Sequence, residues 1–191
     1  MLPKNPPKIY FKHVYGSDVN EWGCVGFPTN GSASDAAGKL RKDDVVLLAI
    51  TNNPKYVSKL RPGLKGRIFA VCQLLRQHIP TAEIANPQLM IRHPVAAKIW
   101  KESLPLARLW DLDEPKNYQD FGMGEIASIA SARRGHMIDI EESPTLQDEI
   151  RSWYDTIKGA EQECFRSGPA AIYQNLKAHH YTESIQGPAP L

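Results

Sequence analysis

Apolar positions in the first three quarters of the chain come in short runs that are typical of strands. These runs are rich in β-branched and aromatic side chains and are bounded by Gly, Pro and Asn, which predicts strands. Two of them are almost continuously apolar, which predicts strands covered on both faces. The predicted strands are residues 8–15, 45–50, 67–75, 106–112 and 136–140.

Helical spacing becomes prominent only after residue 142. Ser143-Pro144 is a typical helix start, and apolar side chains then recur at helical intervals, at Leu146, Ile150, Trp153, Ile157 and Cys164. This stripe predicts an amphipathic helix to about residue 166, followed by a second short helix over residues 170–179. Earlier in the chain, Ser32 or Ser34 is the predicted cap of a helix through residue 41, and residues 94–102 predict another. The segment that holds Trp22 and Cys24 is predicted to be a loop.

Strands interleaved with short helices predict an α+β fold, a compact mixed barrel or sheet of about five or six strands. The predicted organisation is one domain over residues 1–142 with a C-terminal helical extension over residues 143–180 packed on it. Residues 181–191, which end in a Gly-Pro-Ala-Pro-Leu sequence, are predicted to be a disordered tail.

Composition excludes several classes of protein. The longest apolar run, residues 45–50, is far short of the ~20 residues of a membrane helix, and the first residues lack the apolar segment of a signal peptide. Three cysteines without a Cys-x-x-Cys spacing predict neither a disulfide framework nor a zinc site. We therefore expect a reduced protein of the cytoplasm that has no membrane partner.

Catalytic and cofactor motifs are absent from the sequence. It contains no Gly-x-Ser-x-Gly, no phosphate-binding glycine loop and no His-Glu-x-x-His. We therefore assign no catalytic residue, no metal ligand and no cofactor, and a protein that is not an enzyme on its own is favoured.

Charge is distributed unevenly although its total is small. The chain carries 23 Lys and Arg against 21 Asp and Glu, a net charge of +2. Residues 1–80 carry +7 and residues 81–191 carry −5. The excess lies largely in one acid-free segment, and Arg133 and Arg134 form a second basic spot beside Gly135. Either spot is a candidate contact to nucleic-acid phosphates, or simply a solvated surface. The basic residues of the acid-free segment are Lys55, Lys59, Arg61, Lys65 and Arg67.

Three of the four tryptophans are candidates for stacking on a nucleobase. Trp153 belongs to the helical stripe and is predicted to be core. Trp22 lies between Glu21 and Gly23, Trp100 ends a short predicted helix, and Trp110 lies on a predicted strand. Aromatic faces stack on bases and attract methylated groups, although each of these residues can equally be core.

The order of these features resembles the EVE/YTH branch of the PUA-like fold, over residues 8–150. Residues 9–15 resemble its first strand, and residues 45–53 with 65–70 its paired central strands. Trp22-Gly23-Cys24 is similar to the Trp-Cys-Ser segment of its aromatic cage, with Gly-Cys in place of Cys-Ser. Residues 99–111 resemble the segment of the other cage tryptophan, and residues 131–135 the turn of a phosphate-contacting Arg.

The resemblance implies a PUA-like mixed barrel that flips and reads a modified base. Modified cytosine in DNA is favoured over N6-methyladenine, and RNA remains possible. Such modules often serve as the targeting domains of modification-dependent restriction enzymes. The resemblance therefore implies a nuclease partner or a fused nuclease domain. Trp22 and Trp100 would be the cage walls, and Trp110 a support or third wall. Tyr15 and the backbone of Cys24 would also contact the nucleobase. The phosphate contacts would be Lys55, Lys59, Arg61, Lys65, Arg67, Arg133 and Arg134.

Two alternative functions stay open. The related ASCH branch includes amidohydrolases that act on modified nucleosides, which would need a Lys/Glu/Thr group in the same pocket. A non-catalytic protein-interaction module would instead use the C-terminal helical stripe as a dimer face.

Overall fold

The computed structural model describes residues 1–14, 19–51, 62–84, 87–92, 94–123 and 136–162. Within these ranges the protein is a mixed α+β structure built on one curled sheet that forms a half-barrel, with a few helices around it. This confirms the predicted fold class at the level of α+β architecture.

Eight strands form the sheet, and the predicted strands are all among them. The strands are β1 (Ile9–Val14), β2 (Cys24–Phe27), β3 (Val45–Ile50), β4 (Arg67–Leu74), β5 (Ile79–Pro80), β6 (Glu102–Asn117), β7 (Ile138–Asp139) and β8 (Gly159–Gln162). Their order is β2-β6-β4-β3-β1-β7, with β5 and β8 each pairing with β6. Only β1 and β3 pair in parallel, among the strands described.

Strand β6 is the longest and joins the two parts of the sheet. Its first residues pair with β2 and β5, and the rest pairs with β4 and β8. The predicted strand covered only residues 106–112, because Pro105 and Pro115 flank that segment. Pro105 is accommodated at the change of partners, and Pro115 lies beside a register shift between β4 and β6.

The curl of the sheet brings together two strands that are far apart in its order. Three strands separate β1 from β2, yet the Nζ of Lys12 on β1 lies 4.0 Å from the ring centroid of Phe27 on β2. The two strands therefore face each other across the open seam of the half-barrel.

Both faces of the sheet are covered. Side chains of β3 alternate between two apolar clusters, with Val45 and Leu47 on one side and Val46 and Leu48 on the other. Helix α2 (Asn30–Lys39) covers the second cluster with its buried alanines. The first cluster is covered by α6 (Pro144–Tyr154).

Several short helices lie among the remaining described residues. They are α1 (Val19–Trp22), α3 (Thr81–Ile84), α4 (Pro87–Arg92) and α5 (Pro94–Ile99). The loop prediction for Trp22 and Cys24 is wrong, because Trp22 ends α1 and Cys24 begins β2. The cap prediction for α2 is also wrong: Thr29 is the N-cap, and Ser32 is its capping-box partner.

The C-terminal segment differs from the predicted helical extension. Helix α6 ends at Tyr154, and residues 159–162 form β8 against β6 rather than continuing the helix to residue 166. A Cβ on Gly159 would come 2.6 Å from the carbonyl oxygen of Asp111, so only glycine permits this close approach. The helical stripe packs inside the molecule, with Leu146 and Ile150 buried in the first cluster and Trp153 and Ile157 against it.

None of the helices in the described ranges is long and apolar enough to cross a membrane. The predicted helix over residues 170–179 and the predicted tail over residues 181–191 lie outside the described residues.

Candidate functional site

A cleft lies at the seam of the half-barrel, where the end of β1, helix α1 and strand β2 meet α3 and the start of β6. Two tryptophans, Trp22 and Trp100, line it together with four polar side chains, and the rest of its wall is apolar. The polar residues are His13, Cys24, Thr81 and Ser103, and the others are Val14, Val19, Val25 and Gly26.

The free volume of the cleft is about 20 Å³, room for about one water molecule. Small-molecule sites usually enclose roughly 300–1,000 Å³. A ligand the size of a nucleobase therefore enters only if a wall residue moves.

Trp100 is the more exposed of the two tryptophans in the cleft wall. It is half-buried and lies in the short connection between α5 and β6. Its side chain packs directly on Gly26, because a Cβ built there would lie 2.8 Å from both Cβ and Cγ of Trp100. The missing side chain of Gly26 thus creates the place that the indole occupies.

Substitution of Gly26 by Ala is expected to displace Trp100. The added methyl would overlap the root of the indole, which cannot yield by rotating its far end, so we expect a loss of about 1–3 kcal/mol in the free energy of unfolding. Trp fluorescence and thermal unfolding measure both effects. Gly38→Ala is the matched control, since an exposed helical glycine with nothing within 4 Å should gain about 0.5–1 kcal/mol. Unchanged fluorescence and stability in Gly26→Ala would contradict the packing.

Trp22 is more deeply buried than Trp100. Only 5% of it is exposed, and it belongs to a third apolar cluster beneath α3 and α4. Its cluster neighbours are Cys24, Leu75, Ile79, Ile84 and Leu89. Trp22 is therefore a fixed wall of the cleft as well as core.

Strand β2 presents backbone polar groups toward the cleft. Leu106 donates its backbone N–H to the carbonyl of Gly23 over 3.1 Å, which fixes the alternation of the β2–β6 ladder. In that register, the N–H and C=O of Cys24 and Gly26 point away from β6, toward the open side of β2. The geometry thus places the Cys24 backbone where a ligand edge in the cleft could meet it.

The polar side chains of the cleft carry no charge at neutral pH. The hydroxyl oxygens of Thr81 and Ser103, both buried, share a hydrogen bond of 2.7 Å. Burial raises the pKa of the Cys24 thiol to about 11, and a hydrogen bond with Ser103 opposes this shift. Burial, assisted by the neighbouring Lys12, lowers the pKa of His13 to about 4. The lining therefore suits an uncharged ligand.

Lys12 lies behind the cleft, on the α2 side of β1. It is 1% exposed, and its Nζ lies 4.0 Å from the Phe27 ring centroid and 5.8 Å from that of Trp100. Burial lowers the pKa of Lys12 to about 7, and the nearby Cys72 opposes the shift. The buried amine of Lys12 thus lies close to the rings of both Phe27 and Trp100.

The structure does not bring Trp110 into the cleft. Trp110 is fully buried in the first apolar cluster, on the α6 side of the sheet, with Ile68 and Tyr154 among the cluster members. Its indole N–H finds no hydrogen-bond acceptor within the described ranges. Its part in the described fold is packing, and a role as a third cage wall is not supported by its position.

Two of the predicted phosphate contacts are described, and one of them lies near the cleft. Val14 in the cleft wall pairs with Ile50, and Ile50 forms a β-bridge with Lys65. The backbone of Lys65 is therefore two strand spacings, about 10 Å in total, from the backbone of Val14. The Lys65 side chain is exposed. Arg67 is also exposed, and its guanidinium donates to the carbonyl of Pro115 over 3.0 Å. The other predicted site residues, Tyr15, Lys55, Lys59, Arg61, Arg133 and Arg134, lie outside the described residues.

A second, roomier groove of about 360 Å³ lies between residues 1–5 and 154–159. The hydroxyl of Tyr154 donates to the carbonyl of Pro3 over 3.0 Å across it. This groove is a seam between two chain segments and lacks the paired tryptophans of the cleft. Across the described ranges, no group of three or more His, Cys, Asp or Glu side chains is placed to hold a metal ion.

Sequence reasoning missed His13 and Lys12 near the end of β1, and it missed three further residues, Gly26, Thr81 and Ser103. A lysine inside an otherwise apolar strand was the one signal available for Lys12. The other three become recognisable only when β2, α3 and β6 are brought together.

No protein-family model, curated protein or solved structure matches this chain. The geometry of the cleft therefore carries the functional proposal.

Proposed function

We propose that this protein is a nucleic-acid-binding module of the PUA-like EVE/YTH type that holds a flipped, modified base in the cleft between Trp22 and Trp100. The observation that carries the proposal is the presence of a buried and a half-buried tryptophan in one cleft, beside the outward-facing backbone of β2. Modified cytosine in DNA is the favoured ligand and N6-methyladenine the second. A modification-dependent restriction or related system is the proposed context, with a nuclease as partner.

The lining of the cleft supports a nucleobase rather than a charged metabolite. Aromatic faces supply about 1–3 kcal/mol of stacking per base, and His13 and Cys24 are both neutral at pH 7. Backbone groups of Cys24 and Gly26 can read donors and acceptors on the edge of a base.

Entry of the base requires Trp100 to leave its place on Gly26. Flipping a base costs a few kcal/mol on the nucleic-acid side, and opening the cleft adds to this cost. We therefore expect modest affinity for unmodified nucleic acid, and higher affinity when the modified base is present to contact the cleft.

Lys65 supports the backbone contact. It is an exposed cation about 10 Å from the cleft wall, a distance that suits a phosphate one or two nucleotides from the flipped base. Contacts of this kind position nucleic acid but do not discriminate among bases.

The binding experiment compares duplexes that carry 5-methylcytosine, 5-hydroxymethylcytosine or N6-methyladenine with unmodified duplexes across a salt series. We expect at least about ten-fold tighter binding to one modified duplex, corresponding to about 1.4 kcal/mol. Lys65→Gln is the matched variant: it should weaken binding to every duplex alike and reduce the salt slope by about 1. Equal, weak binding to all duplexes would refute the proposal.

One observation favours the amidohydrolase as a second candidate. The Nζ of Lys12 lies 5.8 Å from the Trp100 ring centroid, and burial lowers the pKa of its amine, so it could accept a proton from a ligand that reached it past Trp100. Hydrolysis of an N-acylated nucleoside by the protein, in which water breaks the amide bond and releases the carboxylic acid and the free amino group of the base, would establish this activity and displace the reader proposal.

A further inference from the structure

After Met1, the most exposed large apolar side chain in the described part of the chain lies on α4. Ile91 is 70% exposed, and Ile99 on α5 is 40% exposed. On the same short helix, Leu89 is buried and Met90 packs beside it, both in the cluster that contains Trp22. Helix α4 thus rests on the cleft wall through Leu89 and projects Ile91 outward from it.

The end of α4 contacts α1 through an ion pair. Arg92, the residue after Ile91, has its Nη2 4.0 Å from Oε2 of Glu21, and Glu21 precedes the wall residue Trp22. Ile99 directly precedes the other wall residue, Trp100. The segment that carries the two isoleucines therefore contacts α1 next to Trp22 and continues directly into Trp100.

The segment that carries the two isoleucines is basic. Residues 87–101 contain Arg92, Lys98 and Lys101 but no Asp or Glu, and all three cations are exposed. Arg92 faces Glu21 of α1, so Lys98 and Lys101 are the cations of this segment that we assign to a polyanion. Proteins that kink a duplex insert exposed apolar side chains, isoleucine among them, between base steps, while cations contact the flanking phosphates. Two exposed isoleucines are less than the contiguous apolar core that a protein–protein interface usually has.

We propose that Ile91 is a wedge that fills the gap left in a DNA duplex when a base enters the cleft. This inference rests on the proposed function, because it requires a base to be flipped. The wedge stabilises the vacated stack, while Lys98 and Lys101 contact the flanking phosphates. It acts only on a duplex, since a single strand has no stack to hold open.

The experiment measures binding of one modified oligonucleotide both as a duplex and as a single strand, with the wild type, Ile91→Ala, Ile91→Leu and Ile99→Ala. We expect Ile91→Ala to bind the duplex at least about ten-fold more weakly and the single strand within about two-fold of wild type. Ile91→Leu should restore duplex binding to within about three-fold. Because Ile91 is exposed, none of its variants should change the thermal unfolding of the protein.

The outcomes separate this inference from the function on which it rests. If the wild type prefers the modified base in the single strand but Ile91→Ala weakens both substrates equally, or neither, the wedge is refuted and the reader remains. Equal duplex losses in Ile91→Ala and Ile99→Ala would also refute it, because a general apolar contact would then explain them. If the wild type shows no preference for the modified base in either form, both proposals fail.

Discussion

Lys12→Met is expected to raise the free energy of unfolding at pH 7 by about 2–4 kcal/mol. Lys12 is buried over Phe27, and its pKa is lowered to about 7 from the 10.5 of an exposed lysine. Each pKa unit corresponds to about 1.4 kcal/mol that favours the unfolded chain, in which the amine is readily protonated. Met has a similar length and no charge to desolvate, so it removes this penalty while preserving most of the packing. Chemical denaturation measures the change.

The pH dependence of stability provides the sharper measurement. Between pH 7 and 10.5 the unfolded chain holds a proton on Lys12 that the folded chain has lost, so stability rises with pH in this window. Above about pH 9, Cys24 acts in the opposite sense, because its raised pKa makes the folded thiol hold a proton that the unfolded one loses. We therefore expect the wild type to gain roughly 2–3 kcal/mol between pH 7 and 9, and Lys12→Met to gain almost none.

Lys42→Met is the control for this prediction. Lys42 is exposed on the loop before β3, so its replacement should leave the rise between pH 7 and 9 intact. Parallel pH profiles for the wild type and Lys12→Met would show that the buried amine does not have a lowered pKa.

Trp100→Ala is expected to abolish discrimination between modified and unmodified DNA while leaving the protein folded. Loss of one stacking face costs about 1–3 kcal/mol, or roughly 5- to 150-fold in affinity for the modified duplex. Because Trp100 is half-buried and packs on Gly26 at the edge of the sheet, the loss of stability should be smaller than for a fully buried tryptophan. Binding to the modified and unmodified duplexes, measured side by side, tests this.

Two further variants serve as controls for Trp100→Ala. Trp100→Phe keeps a flat ring and should retain most of the discrimination. Trp153→Ala removes another partly buried tryptophan, which lies on α6 and away from the cleft lining, with its ring centroid 5.0 Å from that of Phe121. It should lower stability without changing the preference between duplexes. Equal loss of preference in Trp100→Ala and Trp153→Ala would contradict a specific role for Trp100.

Continuous apolar runs were sufficient to predict the centre of the sheet. Val45–Ile50 and Arg67–Leu74 form strands close to the predicted bounds because both of their faces are buried. Strands β2 and β8 were not predictable in this way. Cys-Val-Gly-Phe and Gly-Ala-Glu-Gln contain glycines where a strand approaches another part of the chain, Trp100 for Gly26 and the Asp111 backbone for Gly159, and both strands depend on β6 for their pairing.

The candidate site was predictable to a similar degree. Trp22 and Trp100 were identified as aromatic candidates, and the structure brings them to one cleft. Trp110 has the same chemistry but points into a core, because the face of β6 on which it lies is set by pairing with β4. Lys12 was overlooked because alternation along β1 does not reveal that its α2-side face is enclosed by a curled sheet.

The neighbours of β1 have a consequence for how the protein reaches its folded state. Tyr10 pairs with Val46 on one side and with Asp139 on the other, so a strand near one end of the chain is completed by residues near the far end of the described region. Pairings between such distant residues pay a large loop-closure entropy before they gain contacts, which slows folding. The seam that forms the cleft depends on the end of β1, so we expect binding competence to be acquired among the last steps of folding. In a fragment that stops before β7, one edge of β1 would have unpaired backbone hydrogen-bonding groups. We expect such a fragment to aggregate through this edge.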